Sequence, residues 1–249
     1  MEKLKLLDLF SGIGGFSLGL EASGYFETVA FCETEPKCHS VLSRHWPGLP
    51  IFDDVTTLTR ESLRARNVIR VDAICGGFPC QDISTAGSKI GLSGERSGLW
   101  REYARLIGEL RPDVVFVENV SAMLERGAGA VLGDLASLGY DAEWHCIPAS
   151  AAGSFQPRDR LWIVAYPHDE GQSVSPFHGG EARRMQALCR LLGDHEWPPF
   201  PDNSGMDDGI SGRLDRVAML GNAVVPQIPQ MLGRVFGPPA LEAFERYGL

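Results

Sequence analysis

The stretch Leu4-Lys5-Leu6-Leu7-Asp8-Leu9-Phe10-Ser11-Gly12-Ile13-Gly14-Gly15 begins as an apolar run and ends in a glycine-rich turn. A short apolar run of this kind is typical of a buried strand, and helical spacing follows over 15–22. Glycines between a strand and a helix start let the backbone approach a ligand closely. The stretch therefore predicts the first strand, turn and helix of an α/β sheet, with a nucleotide-like ligand at the turn.

Short apolar runs alternate with amphipathic segments along most of the chain. This alternation predicts an α/β fold with a doubly wound, Rossmann-like parallel sheet. Strands are predicted at 4–9, 28–32, 71–75, 114–118, 142–148 and 161–166, and helices at 15–22, 36–45, 99–110 and 128–138.

The composition changes after Pro167. Residues 168–212 are rich in Gly, Pro, Asp and His and contain one credible helix, at 181–192. Helical spacing returns at 214–220 and 225–236. Because so short a segment cannot bury a core of its own, it must lean on the main domain or on a partner. We expect a catalytic, cofactor-binding domain made of 1–167 and 213–249, with 168–212 as a small recognition-like region.

The composition is that of an ordinary globular enzyme domain, with 44% hydrophobic and 22% charged residues in 249. No apolar run approaches the roughly 20 residues that span a bilayer, and nothing marks export. The cysteines show neither C-x-x-C pairs nor clustered Cys/His spacing, which argues against a zinc site or a disulfide framework. We therefore expect a cytoplasmic protein with no metal and no membrane association.

A second stretch, Gly76-Gly77-Phe78-Pro79-Cys80-Gln81-Asp82-Ile83-Ser84, holds a cysteine in a loop that glycines and prolines shape. Three further blocks are Glu118-Asn119-Val120, Gln156-Pro157-Arg158-Asp159-Arg160 and Gly221-Asn222-Ala223-Val224-Val225-Pro226. With the first block, these five in this order resemble the motif set of the DNA (cytosine-5)-methyltransferases, of phage, prophage or restriction-modification type. The resemblance runs from Leu6 to about Phe236, with a gap near 169–209.

The resemblance implies transfer of a methyl group from S-adenosyl-L-methionine to carbon 5 of cytosine in double-stranded DNA, with release of S-adenosyl-L-homocysteine. The Cys80 thiolate would add to carbon 6 of a flipped-out base. Glu118 would hydrogen-bond or protonate ring nitrogen 3, and Arg160 would steady the charge and the carboxylate. The protein would act on DNA in the cytoplasm, encoded by a bacterium or a phage.

The cofactor site can also be approached from the residues alone. Ser17 stands where a dinucleotide fingerprint needs its third glycine, and Glu33 ends the second strand, where an acid suits ribose hydroxyls. The resemblance implies that Phe10 stacks on or borders the adenine and that Asp54 binds the adenine amino group. The neighbouring Asp53 is the alternative to Asp54. It implies a full cofactor set of Asp8, Phe10, Ser11, Gly12, Gly14, Gly15, Glu33, Thr34, Asp54, Val55, Pro79, Asn222 and Ala223.

Contacts to DNA are expected from a second set, in which Asn119 more plausibly fixes a loop than reacts. The glycine-punctuated segment 84–96 resembles the family's loop that closes over the flipped base. Because the net charge of −9 is unfavourable for binding a polyanion, we expect a strongly polarised surface with a positive cleft beside Cys80. The DNA or base contacts are Gln81, Ser84, Lys89, Arg96, Asn119, Gln156, Arg158 and Arg213.

The short region 168–212 is the main departure from the family, most members of which carry a longer target-recognition region. It favours a short or relaxed recognition sequence, a partner that supplies specificity, or a divergent phage or prophage enzyme. Two other functions stay open. One is an RNA methyltransferase on the same scaffold, and the other is a cofactor-binding regulatory subunit without catalysis.

Overall fold

A computed structural model of the chain describes residues 2–79, 98–153, 158–168 and 223–237. Several predicted features fall outside these ranges, namely the closing loop 84–96, the helices at 181–192 and 214–220, and nearly all of 168–212. The same holds for the predicted site residues Cys80, Gln81, Ser84, Lys89, Arg96, Gln156, Arg213 and Asn222.

The described ranges contain one seven-stranded sheet of order β3-β2-β1-β4-β5-β7-β6. The strands are β1 Leu4–Leu9, β2 Phe26–Cys32, β3 Ile51–Phe52, β4 Ala73–Gly76, β5 Val114–Val120, β6 Tyr140–Pro148 and β7 Asp159–Pro167. The helices are α1 Gly15–Ala22, α2 Pro36–His45, α3 Arg60–Ala65, α4 Gly98–Leu110, α5 Met123–Arg126, α6 Ala128–Ser137 and α7 Gln227–Phe236. A 3-10 turn, Ala149–Ala152, follows β6.

The predicted α/β sheet is confirmed, with one difference in strand direction. The neighbours from β3 to β5 pair in parallel, whereas β7 runs antiparallel to both β5 and β6. The difference follows from the connection between β6 and β7, since a parallel pair needs a crossover of a dozen or more residues and a shorter link reverses the chain. The sheet is therefore mixed at this end.

Two apolar layers cover the two faces of the sheet. Along β1, Leu7 and Leu9 face the layer that contains α4 and α6, while Leu6 faces the layer that contains α1 and α7. Helices on both faces make the sheet doubly wound, as predicted. Within the described ranges, no helix is long and apolar enough to cross a membrane.

The strand order places the site. The neighbours of β1 are β2 on one side and β4 on the other. The order in which strands are added to the sheet therefore reverses at β1. In such sheets the carboxyl ends of the strands flank a crevice that holds the ligand. The glycine turn after β1, Glu33 after β2, Gly77 after β4 and Glu118 in β5 all belong to this edge.

Candidate active site

The turn after β1 is tightly folded by its own hydrogen bonds. Phe10, Gly12 and Gly14 adopt left-handed backbone angles, with φ of 51°, 54° and 86°. The Ser11 hydroxyl donates to the Asp8 carbonyl at 2.7 Å, and the Gly14 amide donates to the Ser11 carbonyl at 2.8 Å. The turn is thus a shaped loop at the start of α1.

The three glycines of this loop differ in their surroundings. A β-carbon on Gly14 would lie 2.6 Å from the Trp46 ring, and one on Gly15 would lie 2.5 Å from the Val224 carbonyl oxygen. At Gly12, no atom of the described residues stands within 4 Å of that position. Gly14 and Gly15 are therefore small because the protein packs on them, while the space beside Gly12 holds no atom of the described residues and can take a ligand.

Glu33 lies directly against the glycine loop. Its Oε2 accepts from the Gly12 amide at 2.6 Å, and its Oε1 accepts from the Glu35 amide at 2.9 Å. The neighbouring Thr34 is exposed. The sheet thus brings together the glycine turn and the acid at the end of β2, which are two of the parts predicted for a ribose-containing cofactor.

The residues predicted to border the adenine are spread around the same edge. The half-buried Phe10 ring stacks on Tyr103, with ring centres 6.3 Å apart. Asp54 is exposed, and hydrogen bonds from Thr56 hold the pKa of its carboxyl below the usual range. Val55 is buried in the core, which leaves only its backbone for a ligand, and Arg105 donates to its carbonyl at 3.0 Å.

Asp8 is bound to the first turn of α1, directly after the glycine loop. Its carboxylate is buried and accepts from the Ser17 hydroxyl at 2.7 Å and from the Ser17 amide at 3.3 Å. Burial raises its pKa to about 7, against the opposing effect of the Ser17 hydrogen bonds. The structure places this residue under the first turn of α1, so its direct role is to hold that helix start.

A second group of residues surrounds Glu118 on β5. Glu118 pairs with Trp162 across the sheet, so Arg160, two residues before it on β7, shares the same face. Arg160 Nε lies 2.9 Å from Glu118 Oε1, and the Glu118 side chain is only 13% exposed. Burial raises the pKa of this carboxyl, while the charges of Arg160 and Arg158 act in the opposite direction.

The loop that leaves β4 passes against this carboxyl. A β-carbon on Gly77 would lie 2.7 Å from Glu118 Oε2, so a larger residue here would displace the carboxyl. The Phe78 side chain is buried against Trp100, with ring centres 5.4 Å apart. Pro79 is exposed and ends the described range just before Cys80. The chain that leads to Cys80 is therefore anchored beside Glu118.

Asn119 anchors the same loop. Its Nδ2 donates to the Phe78 carbonyl at 3.0 Å, and its Oδ1 accepts from the Val120 amide at 2.9 Å. The side chain is 4% exposed. Both polar atoms of the amide are thus used inside the protein, which agrees with the predicted loop-fixing role.

The last predicted block returns to the first. Val224 packs its carbonyl against Gly15, which places the half-buried Ala223 next to the glycine loop. On the Glu118 side, Arg158 is half-buried with φ of 34°, and burial lowers its pKa. The predicted positive cleft stays a prediction, since most of its basic residues lie outside the described ranges.

Sequence reasoning assigned no role at these sites to Trp46 or Tyr103, and it treated Gly77 only as part of the loop that carries Cys80. Trp46 supports Gly14, Tyr103 supports Phe10, and Gly77 lies against the Glu118 carboxyl. No local pattern connects Trp46 or Tyr103 with the site. Among the described residues, no cluster of His, Cys, Asp or Glu is suited to a metal ion.

The arrangement combines a binding site for a ligand with a buried acid. The open space at Gly12, with Glu33 beside it, suits a ligand that carries hydroxyls, because carboxylates accept several hydrogen bonds. The Glu118 carboxyl, with its raised pKa and its Arg160 partner, suits proton donation or strong hydrogen bonding to a reacting ring.

Comparisons with known proteins identify the relatives of this chain. A model of the C-5 cytosine-specific DNA methylase family matches residues 4–196. The Type II methyltransferase M2.BsuMI of Bacillus subtilis is 37% identical over 179 residues, which are 69% of this chain and 44% of the relative. The Type II methyltransferase M.AquIA of Picosynechococcus is 32% identical over 211 residues, which are 77% of this chain and 84% of the relative. The chain thus spans less than half of the first relative and most of the second.

Solved structures show the same fold. An Escherichia coli prophage protein, described as a DNA modification methyltransferase, superposes with a TM-score of 0.56 and 26% identity. The match covers 66% of this chain and 47% of that protein. The Dnmt2 methyltransferase of S. pombe superposes with a TM-score of 0.58 over 78% of this chain and 56% of its own, at 18% identity. The second likeness concerns the fold alone.

Proposed function

The chain belongs to the C-5 cytosine-specific DNA methylase family, and on that premise we propose that it transfers a methyl group from S-adenosyl-L-methionine to carbon 5 of cytosine in double-stranded DNA. The observation that carries the proposal is the position of Glu118. Its carboxyl is buried, paired with Arg160, and in contact with Gly77 on the loop that leads to Cys80. An acid so placed serves a ring that is attacked by a thiolate from this loop.

Each residue then has a defined task. The Cys80 thiolate forms a bond to carbon 6 of the cytosine, which makes carbon 5 a nucleophile. Negative charge develops on the ring, and Glu118 relieves it by donating to ring nitrogen 3. Arg160 orients the carboxyl through its Nε and stabilises the adjacent oxygen of the base. Carbon 5 then takes the methyl group, with S-adenosyl-L-homocysteine as the leaving group. A base removes the carbon 5 proton, the freed electron pair restores the ring double bond and expels the Cys80 thiolate, and the proton on ring nitrogen 3 returns to Glu118.

S-adenosyl-L-methionine supplies the electrophilic methyl group. In our proposal its ribose hydroxyls lie at Glu33, whose carboxylate oxygens keep lone pairs beyond those used by Gly12 and Glu35. Phe10 borders the adenine, and Asp54 accepts from its amino group. The remaining cofactor contacts are those of the predicted set, Asn222 among them, with Asp8 acting through Ser17.

The target base has to leave the duplex, because carbon 6 of a stacked cytosine is out of reach of any side chain. Flipping costs a few kcal/mol, which contacts to the flipped base and its phosphates must offset. Arg158, beside Arg160 and Glu118, is proposed to contribute to these contacts together with Gln81, Ser84, Lys89, Arg96, Gln156 and Arg213. We further propose that 168–212 reads a short sequence or works with a specificity partner, in the cytoplasm of a bacterium or of a phage-infected cell.

The proposal is tested by incubating purified protein and S-adenosyl-L-methionine with genomic DNA that lacks cytosine methylation, and with transfer RNA in parallel. Conversion sequencing then maps 5-methylcytosine. We expect methylation of DNA in a defined sequence context and none with Cys80→Ala. Methylation by the alanine variant would refute the nucleophile, and methylation of transfer RNA alone would refute the substrate. Cofactor binding without transfer to either nucleic acid would indicate a regulatory subunit instead.

A further inference from the structure

Trp46, at the end of α2, fills the space beneath the glycine loop. Its Cη2 and Cζ3 atoms lie 2.6 Å from the position that a β-carbon on Gly14 would take. On its other side the indole packs on Phe31, with ring centres 5.1 Å apart. The ring therefore packs directly against Gly14 at the start of α1.

The same side chain also contacts the far end of α1. The indole Nε1 donates to both carboxylate oxygens of Glu21, at 3.1 and 3.0 Å. Glu21 Oε1 in turn accepts from the Thr28 amide of β2 at 3.0 Å. Trp46 thus ties both ends of α1 to α2 and to the sheet.

The opposite end of α2 holds the other half of the cofactor site. The Glu35 amide, at the start of the helix, donates to Glu33 Oε1 at 2.9 Å, and His39 Nε2 lies 2.5 Å from the Glu33 carbonyl oxygen. Glu33 Oε2 in turn accepts from the Gly12 amide. The residues that flank α2 therefore reach the glycine loop twice, through Glu33 at Gly12 and through Trp46 at Gly14.

We propose that Trp46 is a positioning residue for S-adenosyl-L-methionine, and that α2 sets the spacing between the Glu33 carboxylate and the glycine loop. The inference rests on the proposed function, since it assigns the same site. Gly12 and Gly14 adopt left-handed angles without strain, whereas the left-handed angle at Phe10, a non-glycine residue of the same loop, persists only where the surroundings over-determine it. Without the indole, the loop has to be ordered when the cofactor binds, and this ordering cost weakens binding.

The experiment measures the Kd of S-adenosyl-L-homocysteine by calorimetry on the full chain, together with KM for S-adenosyl-L-methionine and kcat on DNA. For Trp46→Ala we expect Kd and KM to rise about tenfold or more and kcat at saturation to stay within about twofold. The reason is that the described contacts of Trp46 include neither Glu118 nor Arg160. Trp46→Phe, which keeps most of the ring but loses the Nε1 donor, should lie between Trp46→Ala and the wild type.

The control is Trp144→Ala, which removes an indole that is 48% exposed on β6 and should leave Kd unchanged. Glu21→Gln keeps an acceptor for the indole and should bind nearly as the wild type does. Equal Kd for wild type and Trp46→Ala would overturn the positioning role, as would a fall in kcat with unchanged KM. If Trp46→Ala does not fold, Trp46→Phe decides the matter, and a Kd for Trp46→Phe equal to that of the wild type would overturn the positioning role. Failure of the wild type itself to bind the cofactor product would instead refute the proposed function.

Discussion

Replacing Gly19 with alanine perturbs the contact through which α7 packs on α1. The added β-carbon would lie 2.1 Å from the Pro226 carbonyl oxygen and 2.8 Å from Pro229 Cβ. Ordinary contacts begin near 3.4 Å, and the Pro226 oxygen is a backbone atom that already accepts from the Gln230 amide. The start of α7 therefore has to move away from α1 by more than an ångström.

The expected cost follows from two opposing effects. Overpacking of a close-packed contact costs about 1–3 kcal/mol, and a rigid backbone partner favours the upper end of this range. Alanine in a helix interior returns about 1 kcal/mol relative to glycine. We expect a net loss of about 2 kcal/mol in the free energy of unfolding, which lowers Tm by roughly 4–8 °C for a domain of this size.

Thermal denaturation followed by circular dichroism measures this loss. The matched control is Gly133→Ala in α6, where no described atom lies within 4 Å of the new β-carbon, and where Tm should rise by a few degrees. Because Val224 packs on Gly15 one turn earlier, Gly19→Ala should also raise the Kd of S-adenosyl-L-homocysteine. A Gly19→Ala protein as stable as Gly133→Ala would show that α1 and α7 do not pack in this way.

Two further predictions concern the buried carboxyls. Glu118→Gln should lower kcat by about 10²–10⁴ while leaving cofactor binding intact, because the amide cannot supply a proton to the ring; single-turnover methylation and calorimetry measure the two quantities. Asp8 has a pKa raised from 3.8 to about 7, so its contribution to stability is complete below pH 4 and is lost as the pH rises through 7. The free energy of unfolding of the wild type, relative to that of Asp8→Asn, should therefore fall between pH 4 and pH 7. The fall should reach up to about 4 kcal/mol, at about 1.4 kcal/mol per pH unit. Urea titrations at several pH values measure it, and the same pH dependence in both proteins would contradict the raised pKa of Asp8.

Local pattern determined most of the elements. The predicted ranges of α1 and α2 coincide with the structure, because each helix carries its own periodicity and start signal. The predicted ranges of the strands match the structure less closely, and the shortest elements were not predicted. β3 has two residues and α3 has six, which is too little for a periodic pattern, although a capping box between Thr59 and Ser62 marks the start of α3.

The sequence alone also determined which residues meet at the sheet edge, because parallel strands present their carboxyl ends together. This rule explains why Glu33, which the sequence placed at the end of the second strand, lies beside the glycine turn. Tertiary structure decided the rest. It set the antiparallel direction of β7, which places Arg160 beside Glu118. It also decided that Trp46 packs against Gly14 and that Val224 packs against Gly15. The physical reason is that periodicity reports which face of an element is buried, whereas a contact between two distant elements depends on how their surfaces pack.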